Sequence, residues 1–564
     1  MRPPASRLLM NGVAALQAIT MIGLALALAG CGGSSTATTV STNYTVGGTI
    51  SGLAVSSVVL ANGTATVTVS AGATSWVFPS SFVAGSSYSV TVKTQPVGES
   101  CAVTSGGSGM NTGSVGDVAV VCSFGQWTWE GGVNAVNASA VYGTQGVASS
   151  SNVPGARYSA STWTDAAGNF WLFGGIGYDS TSATGYLNDL WQYTPSTKEW
   201  NWVNGGMAAN ASGVYGTLGT AAASNVPGAR YAASSWIDAS GNLWLFGGIG
   251  HDSTGAVGNL NDLWRYSPVT GQWTWIAGAG VANAGGVYGT QGTAAASNVP
   301  GARYAATSWI DASGNLWLFA GVGDDSTGSV GNLNDLWRYN PGNGQWTWVA
   351  GANVANASGI YGAQGTAAAS NTPGARYAAS SWMDASGTLW LFGGYGYDSI
   401  GTAGKLNDLW QYSSSGGQWT WVGGSSEVNG TAIYGTLGAA LAGTEPGARQ
   451  AASSWIDSSG NLWLFGGVGY DLTGGVGNLN DLWRYSPSTN EWAWVSGSSA
   501  DNASGIYGTQ GTAAVNSVPG GRNAVSSWID STGNLWLFGG YGYGSIGGVG
   551  YLNDLWQYNP NAGT

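Results

Sequence analysis

The segment Leu-Asn-Asp-Leu-Trp occurs six times in this chain, with its aspartate at Asp189, Asp262, Asp335, Asp408, Asp481 and Asp554. The interval is 73 residues at every step. A period that never slips marks tandem copies of one supersecondary unit. The repeats cover about three quarters of the 564 residues, so the chain reads as an array rather than as three or four unrelated domains. Glycine supplies 97 residues and charged residues only 7%, a balance that would suggest disorder were 31 tryptophans and 26 tyrosines not so regularly placed. Regular aromatics in such a background indicate short strands and tight turns.

One period, taken from the second copy, holds four strand-like runs, at residues 231–237, 243–248, 263–266 and 272–276. Four antiparallel strands make a blade, and a ring of blades leaves no long sheet edge open. The small residues of the first run suit the crowded inner strand, and the bulky ones belong between blades. The double glycine Gly247-Gly248, the Asn-Asp-Leu-Trp third run and Trp273 on the fourth resemble the kelch repeat, and the match extends from about Gly125 to the end. Ala320-Gly321 is the one departure from the double glycine. That resemblance implies an all-β fold, a kelch-type β-propeller. Kelch units run near ~50 residues; the excess here lies in particular loops.

The first three runs occur six times, but nothing like a fourth run follows Pro560. The missing run stands at the other end, as Gln126-Trp127-Thr128-Trp129, and with it the fourth-run tryptophans also number six: Trp127, Trp200, Trp273, Trp346, Trp419 and Trp492. The expectation is a six-bladed ring over residues 125–564, closed by the strand at 126–130. Thirty of the 31 tryptophans recur at five fixed places per unit, which fits interblade core better than sugar stacking. Each removes ~150–250 Å² from water, an upper bound of ~4–6 kcal/mol at ~25 cal/mol/Å².

Ahead of the ring, residues 44–123 carry short strand-like runs such as Ala65-Thr66-Val67-Thr68-Val69, separated by turn pairs such as Asn62-Gly63. They resemble the immunoglobulin-like or carboxypeptidase-regulatory-like β-sandwich modules that precede propellers in bacterial surface lipoproteins. Cys101 and Cys122 fall inside this segment, and in an exported protein the expectation is a disulfide, which would add ~3 kcal/mol. Residues 1–30 have the layout of a secretory signal peptide: Arg2 and Arg7, an apolar run, then Leu28-Ala29-Gly30-Cys31. That tetrad resembles a bacterial lipobox, which implies lipidation of Cys31, a flexible tether over 31–43 and a protein anchored in the bacterial cell envelope, at the outer membrane or cell surface. Without the two arginines the net charge falls from −12 to about −14. An acidic exterior argues against nucleic acid as a partner.

Candidate ligand contacts lie where loops are long. The second-to-third connection reads as about a dozen residues and the link to the next blade as about two dozen, both on one face of the ring. Elaborated loops on a rigid scaffold carry binding. At the inner end of that face every unit offers one arginine: Arg157, Arg230, Arg303, Arg376, Arg449 and Arg522. In kelch domains that bind acidic peptides an arginine here contributes to the pocket, so the resemblance implies ligand contact. The alternative is a structural pairing with the Asn-Asp-Leu-Trp aspartates. An asymmetric ligand would use positions where the copies disagree, such as His251, Asp324, Lys405, Gln450 and Asn523.

Residue supply limits the chemistry. Galactose oxidase shares the kelch architecture, but its copper site needs two histidines and a thioether-linked cysteine, and this chain has one histidine and no spare cysteine. The turn at Asp238 resembles a sialidase Asp box only loosely, and the acidic loops lack an EF-hand spacing. No metal or cofactor is expected. Two readings of function remain: a monomeric, non-catalytic scaffold binding protein, peptide or glycan on the long-loop face, or a carbohydrate-active enzyme of the epimerase or mutarotase kind.

Overall fold

The computed structural model describes residues 43–560, except 54–56, 97–98 and 515. The signal-peptide and tether readings, Cys31 included, lie outside the described residues, save that the tether's last residue, Asn43, begins a two-residue strand. The architecture is a six-bladed β-propeller preceded by a small β-sandwich. In the sandwich, one sheet orders Ser75–Val77, Val46–Ser51, Val115–Phe124 and Glu99–Ser105. The other orders Ala65–Val69, Val58–Asn62, Ser87–Thr94 and Ser108–Met110. Val46, Ile50 and Val120 of the first face Leu60, Val69 and Val90 of the second across one core. Cys101 and Cys122 sit directly opposite each other on neighbouring strands and are disulfide-bonded.

The strand carrying Cys122 runs, with only Gly125 between, into Gln126–Gly131. This strand pairs antiparallel with Val549–Asn559, Trp127 opposite Tyr558, and supplies the outer strand of the sixth blade. Trp127 is buried among Trp463 and Phe465 of the fifth blade and Trp556 and Tyr558 of the sixth. The ring is therefore sewn shut by residues more than four hundred positions apart. Between blades, the same aromatics recur: Trp163, Trp171 and Phe173 of the first pack against Leu243, Leu245 and Trp264 of the second.

Three features differ from the sequence reading. The second and third strands are longer than their apolar runs, Leu243–His251 and Val257–Ser267 in the second blade, so their connection is a five-residue hairpin at 252–256. The double glycine does not end the strand; it is a bulge within it, where the register shifts between Phe246 and Gly248. Both glycines have positive φ, 64° and 93°. A Cβ on Gly247 would fall 2.7 Å from the carbonyls of Leu260 and Arg303, so a side chain is tolerated only with displacement.

Second, the inner strand is broken in two, as Arg230–Tyr231 and Ser234–Ile237. Ala232 sits in the break with φ 52°. Its N–H donates to the carbonyl of Ser159 in the preceding blade, 2.9 Å away, and Ala305, Ala378, Ala451 and Ala524 repeat the bond. Ser159 N–H donates to Ala524 at 2.8 Å and completes a circle of six backbone hydrogen bonds about the axis. Third, the long links are not free loops. In the link before the first blade Val141 bridges Val153, and Ser149 bridges Trp200 of the outer strand, so the link covers that blade's open edge.

Because Trp127 fills the seam between two blades, Trp127→Ala is expected to destabilise the propeller by ~3–5 kcal/mol. Trp76→Ala should instead weaken the sandwich alone. Calorimetric scans of both variants check this; equal effects on one transition would contradict an independent seam.

Candidate functional site

The six arginines fill the blade interior. The guanidinium of Arg157 forms a fork with Asp189, Nη1 to Oδ1 and Nη2 to Oδ2, both 2.7 Å, with both side chains fully buried. Nε donates to the Gly155 carbonyl at 3.0 Å and Nη1 also to the bulge carbonyl of Gly174 at 2.9 Å. The second carboxylate oxygen further accepts from Tyr142 Oη in the link and from Trp191 Nε1, each at 2.7 Å. All six units repeat the arrangement. Burial pushes the tyrosine hydroxyl far above its ordinary value, and the neighbouring aspartate adds to this. Arg157, Arg230, Arg303, Arg376, Arg449 and Arg522 are thus inaccessible and fully bonded, which corrects their inclusion among ligand contacts and removes them as clamps for a substrate.

The hairpin aspartates are also committed. Asp252 Oδ1 accepts from the N–H groups of Thr254 and Ala256 and from Thr254 Oγ1, while Oδ2 accepts from Ala282 N–H in the link. Burial opposes ionisation, but these bonds outweigh it and hold the carboxyls of Asp179, Asp252, Asp325 and Asp471 below the ordinary range. Asp238 similarly bonds its own turn and Trp244 Nε1. Among the described residues no cluster of histidine, cysteine and carboxylates is placed to hold a metal. Asn210, in an Asn-Ala-Ser sequon, has φ 64° and accepts from Tyr186 N–H through Oδ1, so it braces the link.

What the fold brings together is the mouth of the channel above the circle of backbone bonds. Register puts Tyr231 beside Ile249 and Ile249 beside Asn259, and the equivalents in each blade share that face. At two of the seams the third-strand residue meets both the first-strand residue and the end of the second strand in the next blade. Tyr551 meets Tyr158 and Tyr178, with ring centroids 5.4 and 5.6 Å apart. Tyr186 meets Tyr231 and His251 at 5.3 and 5.8 Å. Tyr541 extends this crescent, 5.9 Å from Tyr158. Across the mouth, the rings of Tyr377 and Tyr395 lie tilted against each other, 5.6 Å apart, with Gln450 of the next blade beside Tyr377. Asn523 Nδ2 donates to Asn478 Oδ1 at 2.8 Å.

Asp324 occupies the place that holds Tyr178 and His251 elsewhere. It is 4% exposed, lies beside Asn259 of the preceding blade, and its Oδ2 has no hydrogen-bond partner among the described residues. Burial pushes its carboxyl above the ordinary 3.8, and Asn259 and Arg303 pull the other way without cancelling it. Lys405 lies on the third strand and burial lowers its ammonium. His251 ends the second strand, with Nδ1 3.1 Å from the Gly255 carbonyl. So the five positions chosen for their disagreement, His251, Asp324, Lys405, Gln450 and Asn523, all lie on strands around one mouth. The sequence reading missed Tyr186, Asn259, Asn478 and Tyr551, although each directly precedes a Leu-Asn-Asp-Leu-Trp segment and varies between copies.

No family model matches the chain, and no curated protein matches it.

Two consequences are measurable. Asp335→Ala, which leaves Arg303 buried without its partner, should destabilise the propeller by ~3–5 kcal/mol in a denaturant titration. The hairpin aspartates, with depressed folded pKa values, stabilise the fold above 3.8, and this is lost as pH falls through those lower values. Asp324 has the opposite sign, because its raised pKa costs stability as pH rises above 3.8. Asp324→Asn should therefore raise the melting temperature at pH 7 and leave it unchanged at pH 3.

Proposed function

We propose that this chain is a kelch-type propeller anchored in a bacterial envelope through Cys31, and that it acts as a non-catalytic scaffold binding a protein, peptide or glycan at the mouth of the long-loop face. The observation that carries this reading is the crescent formed by Tyr158, Tyr178, Tyr186, Tyr231, Tyr541 and Tyr551, facing the amide side chains of Gln450, Asn478 and Asn523. Aromatic faces beside uncharged donors and acceptors suit the apolar faces and hydroxyls of a saccharide, which favours glycan among the three classes. The circle of backbone bonds under the mouth gives this bowl a rigid floor. Binding needs neither metal nor cofactor, and the acidic charge of −12 disfavours nucleic acid.

Asp324 supports a second reading, a sugar epimerase or mutarotase. A buried carboxyl with a raised pKa and an unpartnered oxygen is suited to proton transfer. The buried arginines count against it, since the cationic clamps that such chemistry would use are occupied.

A glycan and peptide array with the full chain tests the scaffold reading. Tyr158→Ala and Tyr231→Ala should each reduce binding of the captured ligand at least tenfold without lowering the melting temperature by more than a few degrees. Loss of binding in Asn340→Ala, on the opposite end of the third strand, would place the ligand elsewhere. Mutarotation of reducing sugars above the uncatalysed rate, abolished by Asp324→Asn, would establish the enzyme instead.

A further inference from the structure

We propose that a cavity between the sandwich and the outer strands of the fifth and sixth blades binds a single acyl chain of a lipid. Its volume is about 590 Å³, inside the ~300–1,000 Å³ typical of small-molecule sites. Phe124, Leu437, Val495 and Val518 supply its large apolar side chains, with Cys122 at the sandwich end; Ser123, Gln126, Ser496, Asn516 and Ser517 also line it, and none of its described lining residues is charged. Apolar side chains in an uncharged wall gain from every methylene taken out of water and offer no counter-charge to an ion.

The cavity exists because the repeat is altered at this place. In the first four blades an asparagine ties the link to the outer strand: Asn152 Nδ2 donates to the carbonyls of Val147 and Trp200, both at 3.0 Å, and Asn225, Asn298 and Asn371 do the same. The equivalent residues of the fifth and sixth copies are Thr444 and Ser517. Ser517 is 5% exposed, lines the cavity, and its Oγ has no hydrogen-bond partner among the described residues. Five links form a bridge to the outer strand of their blade, from Ser149 with Trp200 to Ala440 with Ala493; among the described residues none forms to the closing strand. Leu437 stands where Gln145, Gln364 and Gln510 donate side-chain amides to outer-strand carbonyls. A polar clamp has thus given way to a short hydroxyl and an aliphatic side chain on adjoining links, and both line the space. The unpartnered Ser517 hydroxyl is available to a lipid carbonyl or carboxyl oxygen.

Two sources could supply such a chain: a free lipid, or the protein's own anchor at Cys31, twelve residues before Asn43 and so within ~40 Å of it when extended. The test is a titration of the full-length protein and its Cys31→Ser variant with cis-parinaric acid, a fluorescent fatty acid. Saturable one-to-one binding by Cys31→Ser is expected. Ser517→Asn, which installs the residue of the first four blades, and Leu437→Gln, which installs that of four copies, should each weaken it at least tenfold with the melting temperature held or raised. Equal binding by the unaltered protein assigns the site to free lipid, and binding only by Cys31→Ser assigns it to the anchor. No saturable binding by Cys31→Ser, or undiminished affinity in both cavity variants, overturns the proposal. Neither result depends on what the mouth of the channel binds.

Discussion

The buried fork between Arg157 and Asp189, with its five counterparts, is the interaction on which the blades depend. It ties together four separate pieces of each unit: the link through Tyr142, the inner strand through Arg157, the bulge through the Gly174 carbonyl, and the third strand through Asp189 and Trp191. Taking a guanidinium and a carboxylate out of water costs several kcal/mol per ion. The cost is offset only because each carboxylate oxygen is met by donors and the guanidinium reaches two backbone carbonyls as well as the carboxylate. A cluster so complete has no capacity left for a ligand. The same completeness explains why the residue types recur without exception: loss of any member leaves another polar group buried and unmet.

Around the axis the constraint is geometric. Six inner strands converge where there is no room for continuous pairing, and each breaks at a left-handed residue, Ser159, Ala232, Ala305, Ala378, Ala451 or Ala524. Left-handed backbone is unfavourable for residues with a Cβ by ~1–2 kcal/mol. A hydrogen bond to the preceding blade accompanies each one, and the small side chains limit the crowding. The circle is closed, so the mouth above it is a bowl held by all six blades at once. Into this near-symmetric frame the chain sets different side chains at one register, a tyrosine crescent across the sixth, first and second blades and tyrosines mixed with amide and charged groups elsewhere. Asymmetry of contact without asymmetry of backbone is what a specific ligand requires of a repeat protein.

The blade count, the inner-strand composition and the seam were legible because they follow from periodicity and from which run is missing at which end. Trp127 could be assigned to the last blade with no coordinates at all. The loops were less legible, because a strand that continues past a bulge has no apolar signature: the Gly-Gly after Phe246 looks like a terminus, although His251 still pairs with Val257. For the same reason the long links read as free, when Val141 with Val153 and Ser149 with Trp200 fold them against the blade edge. At the mouth, disagreement between copies was enough to select Asp324, Lys405, Gln450 and Asn523. It did not show that Asn259 reaches Asp324 or that Asn478 reaches Asn523, since those partners lie in neighbouring blades and no spacing within one repeat relates them.

The amino-acid sequence by itself determined that this chain is a ring of six like units with one strand borrowed from upstream, because a fixed period and a hydrophobic pattern act locally and identically in every copy. It also determined that a copper site built on two histidines lacks its ligands, since the chain has one histidine. Only the tertiary structure decided the fate of the charges. Whether an arginine near the mouth points to solvent or into the blade depends on which carboxylate, carbonyl and phenol surround it, and those come from segments 15 to 32 residues away, brought together only when the sheet is formed.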